Sequence, residues 1–167
     1  MRKQKGFSLI ELLIVVAIIL IIAAIAITNL LRSRIAANEA SAVGSIRTIN
    51  TSEVTFASTY PNLGFAALGS LGGAGGVATG AGLIDSVLAS GVKSGYAFAV
   101  LIGPSGCGQG GTSAICSTYA VNGDPSNSQT GQRHFCSDQS GVIRYDVASP
   151  ITSAAATGCV ATAAPLQ

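Results

Sequence analysis

The residues from Phe7 to Ile27 form an apolar run that contains one charged side chain, Glu11. At about 1.5 Å per residue this run would make a helix of roughly 30 Å, the thickness of a bilayer's hydrocarbon core. A secretory signal peptide has a shorter apolar region that ends in a small-residue cleavage site, and neither feature fits this run. The run therefore predicts a membrane-spanning helix, and the basic residues before it favour a cytoplasmic N-terminus.

Glu11 needs a physical reason to stand in such a segment. A carboxylate inside a membrane helix costs about 2.5 to 3.5 kcal/mol on insertion scales, and such residues usually have a partner. One interpretation is that Glu11 lies near enough to the membrane surface to stay solvated. The other is that it meets a positive charge when helices pack side by side. No Lys or Arg lies within the segment, but a free amine on Phe7 would serve if the chain were cut before it.

The stretch KGFSLIELLIVVAIILIIAAIAI resembles the class III leader and hydrophobic N-terminus of type IV pilins, of the type IVa kind, and of the related pseudopilins. The resemblance implies that a prepilin peptidase cleaves between Gly6 and Phe7 and methylates the new amine on Phe7. It also implies that Glu11 pairs with the amine of a neighbouring subunit. Thr28 stands where many type IV pilins have proline, so nothing in this sequence forces a break in the helix there.

The helical pattern continues beyond Ile27 but becomes amphipathic, to about Thr59, and Pro61 is a natural stop. Its apolar positions recur at spacings of three, four and seven: Leu31, Ile35, Ala42, Val43, Ile46 and Ile49. Its charged positions are expected on other faces of the helix: Arg32, Arg34, Glu39, Arg47 and Glu53. A helix from Phe7 to Thr59 would be roughly 80 Å long, so its first half must be buried by lipid and, as the resemblance implies, by other subunits.

The composition changes after the helix. Residues 64–82 are rich in glycine and alanine and predict a loop or a weakly ordered surface segment, followed by a possible short helix at 83–90. Strands are predicted at Ser94–Ile102, Ser117–Val121, Arg133–Ser137 and Val142–Asp146, with a hairpin turn at Gln139-Ser140-Gly141. These elements predict an α+β fold in which the long helix packs on a small antiparallel sheet, and the resemblance implies the same, as a ladle-shaped subunit.

The predicted organisation has five segments. They are a leader (1–6), an apolar transmembrane or filament-core helix (7–27), an amphipathic helix (28–60), a Gly/Ala-rich loop with a possible short helix (61–93), and a sheet with a disulfide-closed C-terminal region (94–167).

Four cysteines, Cys107, Cys116, Cys136 and Cys159, lie in the distal part, on the side of the membrane predicted to be oxidising. Two disulfides are expected, and three pairings are possible. The pairs Cys107 with Cys116 and Cys136 with Cys159 are preferred because each closes a local loop. The second resembles the C-terminal disulfide loop of the pilin family.

No metal site, cofactor or catalytic site is predicted. The chain has no Cys-x-x-Cys and one histidine, His134, which falls in a predicted strand and is expected to be exposed. The distal acidic residues are expected to cap turns or face solvent: Asp85, Asp124, Asp138 and Asp146. Three of the nine basic residues precede Phe7, so no basic patch predicts nucleic acid as an obligate partner.

The chain is therefore not expected to be an enzyme. The resemblance implies a structural subunit of a type IV pilus. Such a subunit waits in the inner membrane with a cytoplasmic N-terminus, and the pilus assembly machinery then packs it with its own copies into an extracellular filament. Adhesion, twitching motility and DNA uptake are the roles such filaments serve. A pseudopilin of type II secretion or a minor pilin is the alternative, and a monomeric membrane-anchored extracytoplasmic binding domain is a more remote one.

Overall fold

One helix, α1 (Leu9–Thr59), dominates the molecule with 51 residues. The computed structural model describes residues 6–105, 107, 114–151, 153–154, 158–159 and 163–166. The predicted leader, apart from Gly6, and parts of the predicted C-terminal region lie outside the described residues. The chain divides into two compact units, Met1–Arg34 and Ile35–Gln167, and α1 contributes to both.

In the first unit, every Val, Leu, Ile and Phe side chain from Phe7 to Leu31 is exposed. Exposed fractions range from 46% for Val16 to 78% for Leu9, so apolar side chains are exposed on every side of this part of the helix. By length and composition α1 is able to cross a membrane, a test that signal sequences and buried core helices also pass.

In the second unit, α1 buries one face. The buried side chains recur at spacings of three and four: Ala42, Ser45, Ile46, Ile49, Ser52, Glu53 and Phe56. This periodicity places them on a single stripe of the helix, as the amphipathic pattern predicts.

The other elements of the second unit are short. The helices are α2 (Leu68–Leu71) and α3 (Ser86–Ala89). The strands are β1 (Val92–Lys93), β2 (Tyr96–Gly103), β3 (Thr118–Pro125), β4 (His134–Asp138), β5 (Arg144–Asp146), β6 (Ser153–Ala154), β7 (Gly158–Cys159) and β8 (Ala164–Pro165).

Among the described residues, six strands form one antiparallel sheet in the order β1-β2-β3-β4-β5-β8, and β6 pairs with β7 separately. The large side chains of the sheet pack with the buried stripe of α1 in one core: Tyr96, Phe98, Tyr119, Val121 and Phe135. The predicted α+β fold, a long helix packed on a small antiparallel sheet, is confirmed.

The Gly/Ala-rich segment differs from its prediction as a surface loop. It contains α2, whose Leu68 and Leu71 are buried in the core. The segment is ordered because these two leucines, three residues apart, face the core together. The short helix predicted at 83–90 is also smaller than expected, since α3 spans Ser86–Ala89 and is capped by the Asp85 carboxylate, which accepts a hydrogen bond from the Leu88 N–H at 2.9 Å.

Polar contacts fix α1 to the loop that precedes β4. The Asn38 side-chain amide donates to the Thr130 carbonyl at 2.9 Å. Glu39 Oε1 accepts hydrogen bonds from the backbone N–H groups of Gln132, at 3.0 Å, and Arg133, at 3.3 Å. The Arg133 side chain also lies over the Tyr145 ring, 5.0 Å from its centroid.

Glu53 contradicts the sequence analysis, which placed it on a polar face of α1. It lies four residues after Ile49 and three before Phe56, on the buried stripe, and its exposed fraction is 0%. Its Oε2 accepts a hydrogen bond from the Ala66 N–H at 2.9 Å, whereas Oε1 has no hydrogen-bond partner among the described residues. Burial disfavours the ionised form and raises the pKa of Glu53 to about 8, against a smaller opposing effect of the Ala66 hydrogen bond.

This carboxyl should make stability fall as pH rises. Between the ordinary pKa of 4.5 and about 8, the folded state keeps the Glu53 proton that the unfolded state loses. The free energy of unfolding should therefore fall by up to about 1.4 kcal/mol per pH unit over this range and level off above it. Thermal unfolding of the full chain in detergent, followed from pH 5 to pH 9, measures the decline.

The decline should disappear in Glu53→Gln, which cannot ionise. Glu39→Gln is the matched control, since it removes another carboxyl group of the same helix, one that accepts hydrogen bonds from the Gln132 and Arg133 amides, and it should keep the decline. A decline of unchanged slope in Glu53→Gln would show that another group causes it.

Candidate functional site

The residues around the predicted cleavage point lie outside any regular element. Residues 6–8 precede α1 and are exposed, and Phe7 is 76% exposed. A side-chain carbon built on Gly6 would meet no atom within 4 Å. Among the described residues, none therefore blocks access to the Gly6–Phe7 peptide bond.

Glu11 caps the N-terminus of α1. Its Oε2 accepts a hydrogen bond from the Ser8 N–H at 2.9 Å, and the Ser8 carbonyl accepts one from the Leu12 N–H at 3.3 Å. Ser8 and Glu11 thus occupy the N-cap and third positions of a capping box, where a carboxylate also faces the positive end of the helix dipole. This capping role was not predicted, although Ser8-Leu9-Ile10-Glu11 has the sequence pattern of a capping box.

The hydrogen bond from Ser8 leaves free acceptor positions on the Glu11 carboxylate. An ionised carboxyl group has two oxygens and about four acceptor positions, so Glu11 can accept from an amine as well as from Ser8. Capping within the chain and charge pairing with another chain are therefore compatible roles for one side chain.

The helix runs through Thr28 without interruption. The Thr28 hydroxyl donates to the Ile25 carbonyl at 3.0 Å, a hydrogen bond within the same helix. A hydroxyl satisfied in this way leaves no unpaired donor on the apolar surface.

The four cysteines are brought together in two pairs. Cys107 is joined to Cys116, between β2 and β3, with 5.1 Å between their Cα atoms. Cys136 on β4 is joined to Cys159 on β7, with 5.9 Å between their Cα atoms. The second pair lies in a small cluster of its own with Ile151 and Ala163.

Asp138 supports the second disulfide. Its carboxylate accepts hydrogen bonds from the backbone N–H groups of Ser140, at 2.9 Å, and Cys159, at 3.1 Å. Partial burial works against the charge, but these hydrogen bonds, together with the nearby Arg144, lower the pKa of Asp138 overall. Asp138 is thus both the turn cap that the sequence predicts and a tether for β7.

His134 does not stand exposed as expected. Its side chain is 18% exposed, and its Nδ1 lies 2.6 Å from Asp124 Oδ1 on the neighbouring strand β3. The register places the two residues side by side, one step beyond the Gly123–Phe135 pair. Asp124 therefore fixes the imidazole ring, whereas Asp85 and Asp146 cap local backbone as predicted.

Within the described part of the chain, no three His, Cys, Asp or Glu side chains are grouped so that they could hold a metal ion. Each of the four cysteines is engaged in a disulfide.

The N-terminus also matches known proteins. Residues 1–27 match the family model described as the prokaryotic N-terminal methylation motif. The chain is 64% identical over 39 residues to the type IV wide pilus major component PilA4 of Thermus thermophilus. The N-terminal segment is similar to that of a type IV pilus component. The match covers 23% of this chain and 30% of that relative, so the likeness is confined to one part of each chain. No solved structure matches the chain.

The disulfides should contribute measurably to the stability of the second unit. On the chain-entropy model, closing a loop of 23 residues is worth about 3 kcal/mol, and closing one of nine slightly less. We expect Cys136→Ser/Cys159→Ser to lower the free energy of unfolding by about this amount in urea titrations of the full chain. Mass spectrometry of non-reduced peptides checks the pairing, and a peptide linking Cys116 to Cys136 would overturn it.

Proposed function

We propose that this chain is a structural subunit of a type IV pilus. The observation that carries the proposal is the first part of α1, which exposes apolar side chains on all sides directly after the Gly6–Phe7 bond and the Glu11 cap. The methylation motif and the likeness to a pilus component support it.

Burying the exposed apolar side chains of this helix would lower the free energy strongly. Burying a single Val, Leu, Ile or Phe side chain is worth about 1.5 to 3 kcal/mol, and this part of α1 exposes such side chains from Phe7 to Leu31. Lipid can supply that cover before assembly, and the same helix of neighbouring copies can supply it afterwards. A helix that is apolar on all sides suits both environments, because it needs no particular face toward either one.

Processing would convert the start of this helix into a charged pair. On the proposal, a prepilin peptidase cleaves the Gly6–Phe7 bond and methylates the amine of Phe7. Glu11 of one copy then accepts the Phe7 amine of another, in addition to its own Ser8 N–H. Removing one partner of a buried ion pair typically costs about 3 to 5 kcal/mol, so the charge on Glu11 would be required for assembly.

The proposed route runs from the inner membrane to the cell surface. The precursor is held by α1 with its N-terminus in the cytoplasm, and an assembly machine in the inner membrane extracts it into a helical filament of identical subunits. The second unit, with its two disulfides, would reside on the oxidising side throughout. The PilA4 relative is named a major component, which favours a major subunit here.

Mass spectrometry of filaments sheared from intact cells tests the proposal. We expect an abundant N-methylated peptide that begins at Phe7. Processed protein found only in the cell envelope would instead indicate a pseudopilin or minor pilin. An intact Met1 in the envelope would indicate an anchored domain that never assembles.

Two variants of Glu11 distinguish the effect of its charge from the effect of its hydrogen bond with the Ser8 N–H. Glu11→Gln keeps a side-chain acceptor for the Ser8 N–H but loses the charge, whereas Glu11→Ala loses both. We expect both variants to abolish or strongly reduce the sheared filaments while the membrane-held subunit remains at wild-type abundance. Filaments at wild-type yield in Glu11→Gln and not in Glu11→Ala would mean that the cap, not the charge, is what assembly requires.

A further inference from the structure

The segment Leu63–Ala66 is held from two sides. On one side the Cys116 N–H donates to the Leu63 carbonyl and the Phe65 N–H donates to the Cys116 carbonyl, each at 2.8 Å. On the other side the Ala66 N–H donates to Glu53 Oε2 at 2.9 Å. Four consecutive residues thus connect a disulfide-bonded cysteine to the buried carboxyl of α1.

The contact with Cys116 is close. Gly64 has a φ of +78°, and a side-chain carbon on it would lie 2.1 Å from the Cys116 carbonyl oxygen. Only glycine permits this approach. Cys116 and its partner Cys107 are 0% and 1% exposed, so the segment contacts the backbone of a buried residue.

The surroundings of Glu53 leave an ionised carboxylate without compensation. None of the ion pairs among the described residues includes Glu53. Tyr119 on β3 is near enough to feel the charge of Glu53: burial first, and then the charges of Glu53 and Asp138, raise the pKa of Tyr119 to about 12. A cavity of about 30 Å³ lies beside the segment, lined in part by Phe56 and Ala66, and it has room for about one water molecule.

We propose that the Cys107–Cys116 disulfide keeps Glu53 protonated by holding the segment Leu63–Ala66 over it. Reduction by a dithiol would transfer two electrons and two protons to the two sulfurs and leave the reductant as a disulfide. A phosphine would supply the two electrons, with water supplying the two protons and the oxygen of the phosphine oxide. Cys116 would then no longer be joined to Cys107, so the residue on which the segment rests through its two backbone hydrogen bonds would lose its covalent anchor. Water would reach the carboxyl group, and Glu53 would release its proton to solvent at neutral pH.

The chain is well suited to a direct measurement, because Glu11, Glu39 and Glu53 are its only glutamates. The full chain, labelled with ¹³C at the glutamate carboxyl carbon and held in detergent, should give one carboxyl resonance for each. The carboxyl resonance that disappears in Glu53→Gln is the one that belongs to Glu53. We expect the Glu53 resonance to titrate with a midpoint near pH 8 in the oxidised protein and at least one unit lower in Cys107→Ser/Cys116→Ser, a tenfold or greater change in the proton-binding constant.

Cys136→Ser/Cys159→Ser is the matched control. It also removes one disulfide from the second unit, but that disulfide lies in the separate cluster around Ile151. We expect it to leave the Glu53 midpoint unchanged. Equal shifts in the two double variants would overturn the proposal, because they would reflect general loosening. An unshifted Glu53 midpoint in Cys107→Ser/Cys116→Ser would overturn it as well.

Gly64→Ala tests the same link without touching a cysteine. The added methyl group must push the segment away from the Cys116 carbonyl, so the Glu53 midpoint should fall although both disulfides remain. The Glu39 resonance reports whether the fold survives in each variant, since Glu39 accepts hydrogen bonds from the amides of Gln132 and Arg133. A folded Gly64→Ala protein with a wild-type Glu53 midpoint would contradict the proposal even if the cysteine variants did not fold.

Discussion

The apolar side chains of α1 from Phe7 to Leu31, which are exposed, are the constraint on which the rest of the molecule depends. One continuous helix has to satisfy two environments, since its later turns bury a stripe from Ala42 to Phe56 against the sheet of the second unit. The two parts of the helix remove their apolar side chains from water in different ways. The first has apolar side chains on every side, which on the proposed function lipid and other copies would cover, whereas the second has one apolar face that the strands cover.

The buried stripe carries one polar exception, and the surrounding structure is arranged around it. Glu53 lies among Ile49, Phe56 and the sheet, where an ionised carboxylate would cost several kcal/mol without a partner. A neutral carboxyl group with one backbone donor costs far less, but it needs that donor held in place. The Ala66 N–H supplies it only while the chain beyond α1 turns back over the helix, so the first residues of the loop are bound to the helix by a polar contact inside an apolar core.

The fold was largely predictable because its main signals are local. The apolar and amphipathic parts of α1 and the alternating pattern of β2 follow from residue spacing alone. The pairing of strands that are distant in the sequence could not be predicted. Tyr119, Ala120 and Val121 are buried in succession because β3 is covered on both faces, with the β6–β7 hairpin on the second, and His134 is shielded because the register sets it beside Asp124. At the candidate site, Glu11 stands out as a charge in an apolar run, whereas the roles of Gly6 and Phe7 come from the family resemblance and stay predictions. Glu53 was misplaced because its residue type outweighed its position on the stripe.

The hydrogen bond between Ser8 and Glu11 has a consequence for the order of events at the membrane. Every atom of this cap belongs to residues that follow the Gly6–Phe7 bond. A precursor and its cleaved product would therefore begin their helix at the same residue and with the same contacts. If the chain is processed as proposed, cleavage would change the charge at its N-terminus without refolding the helix, so the helix could form and enter the bilayer before cleavage.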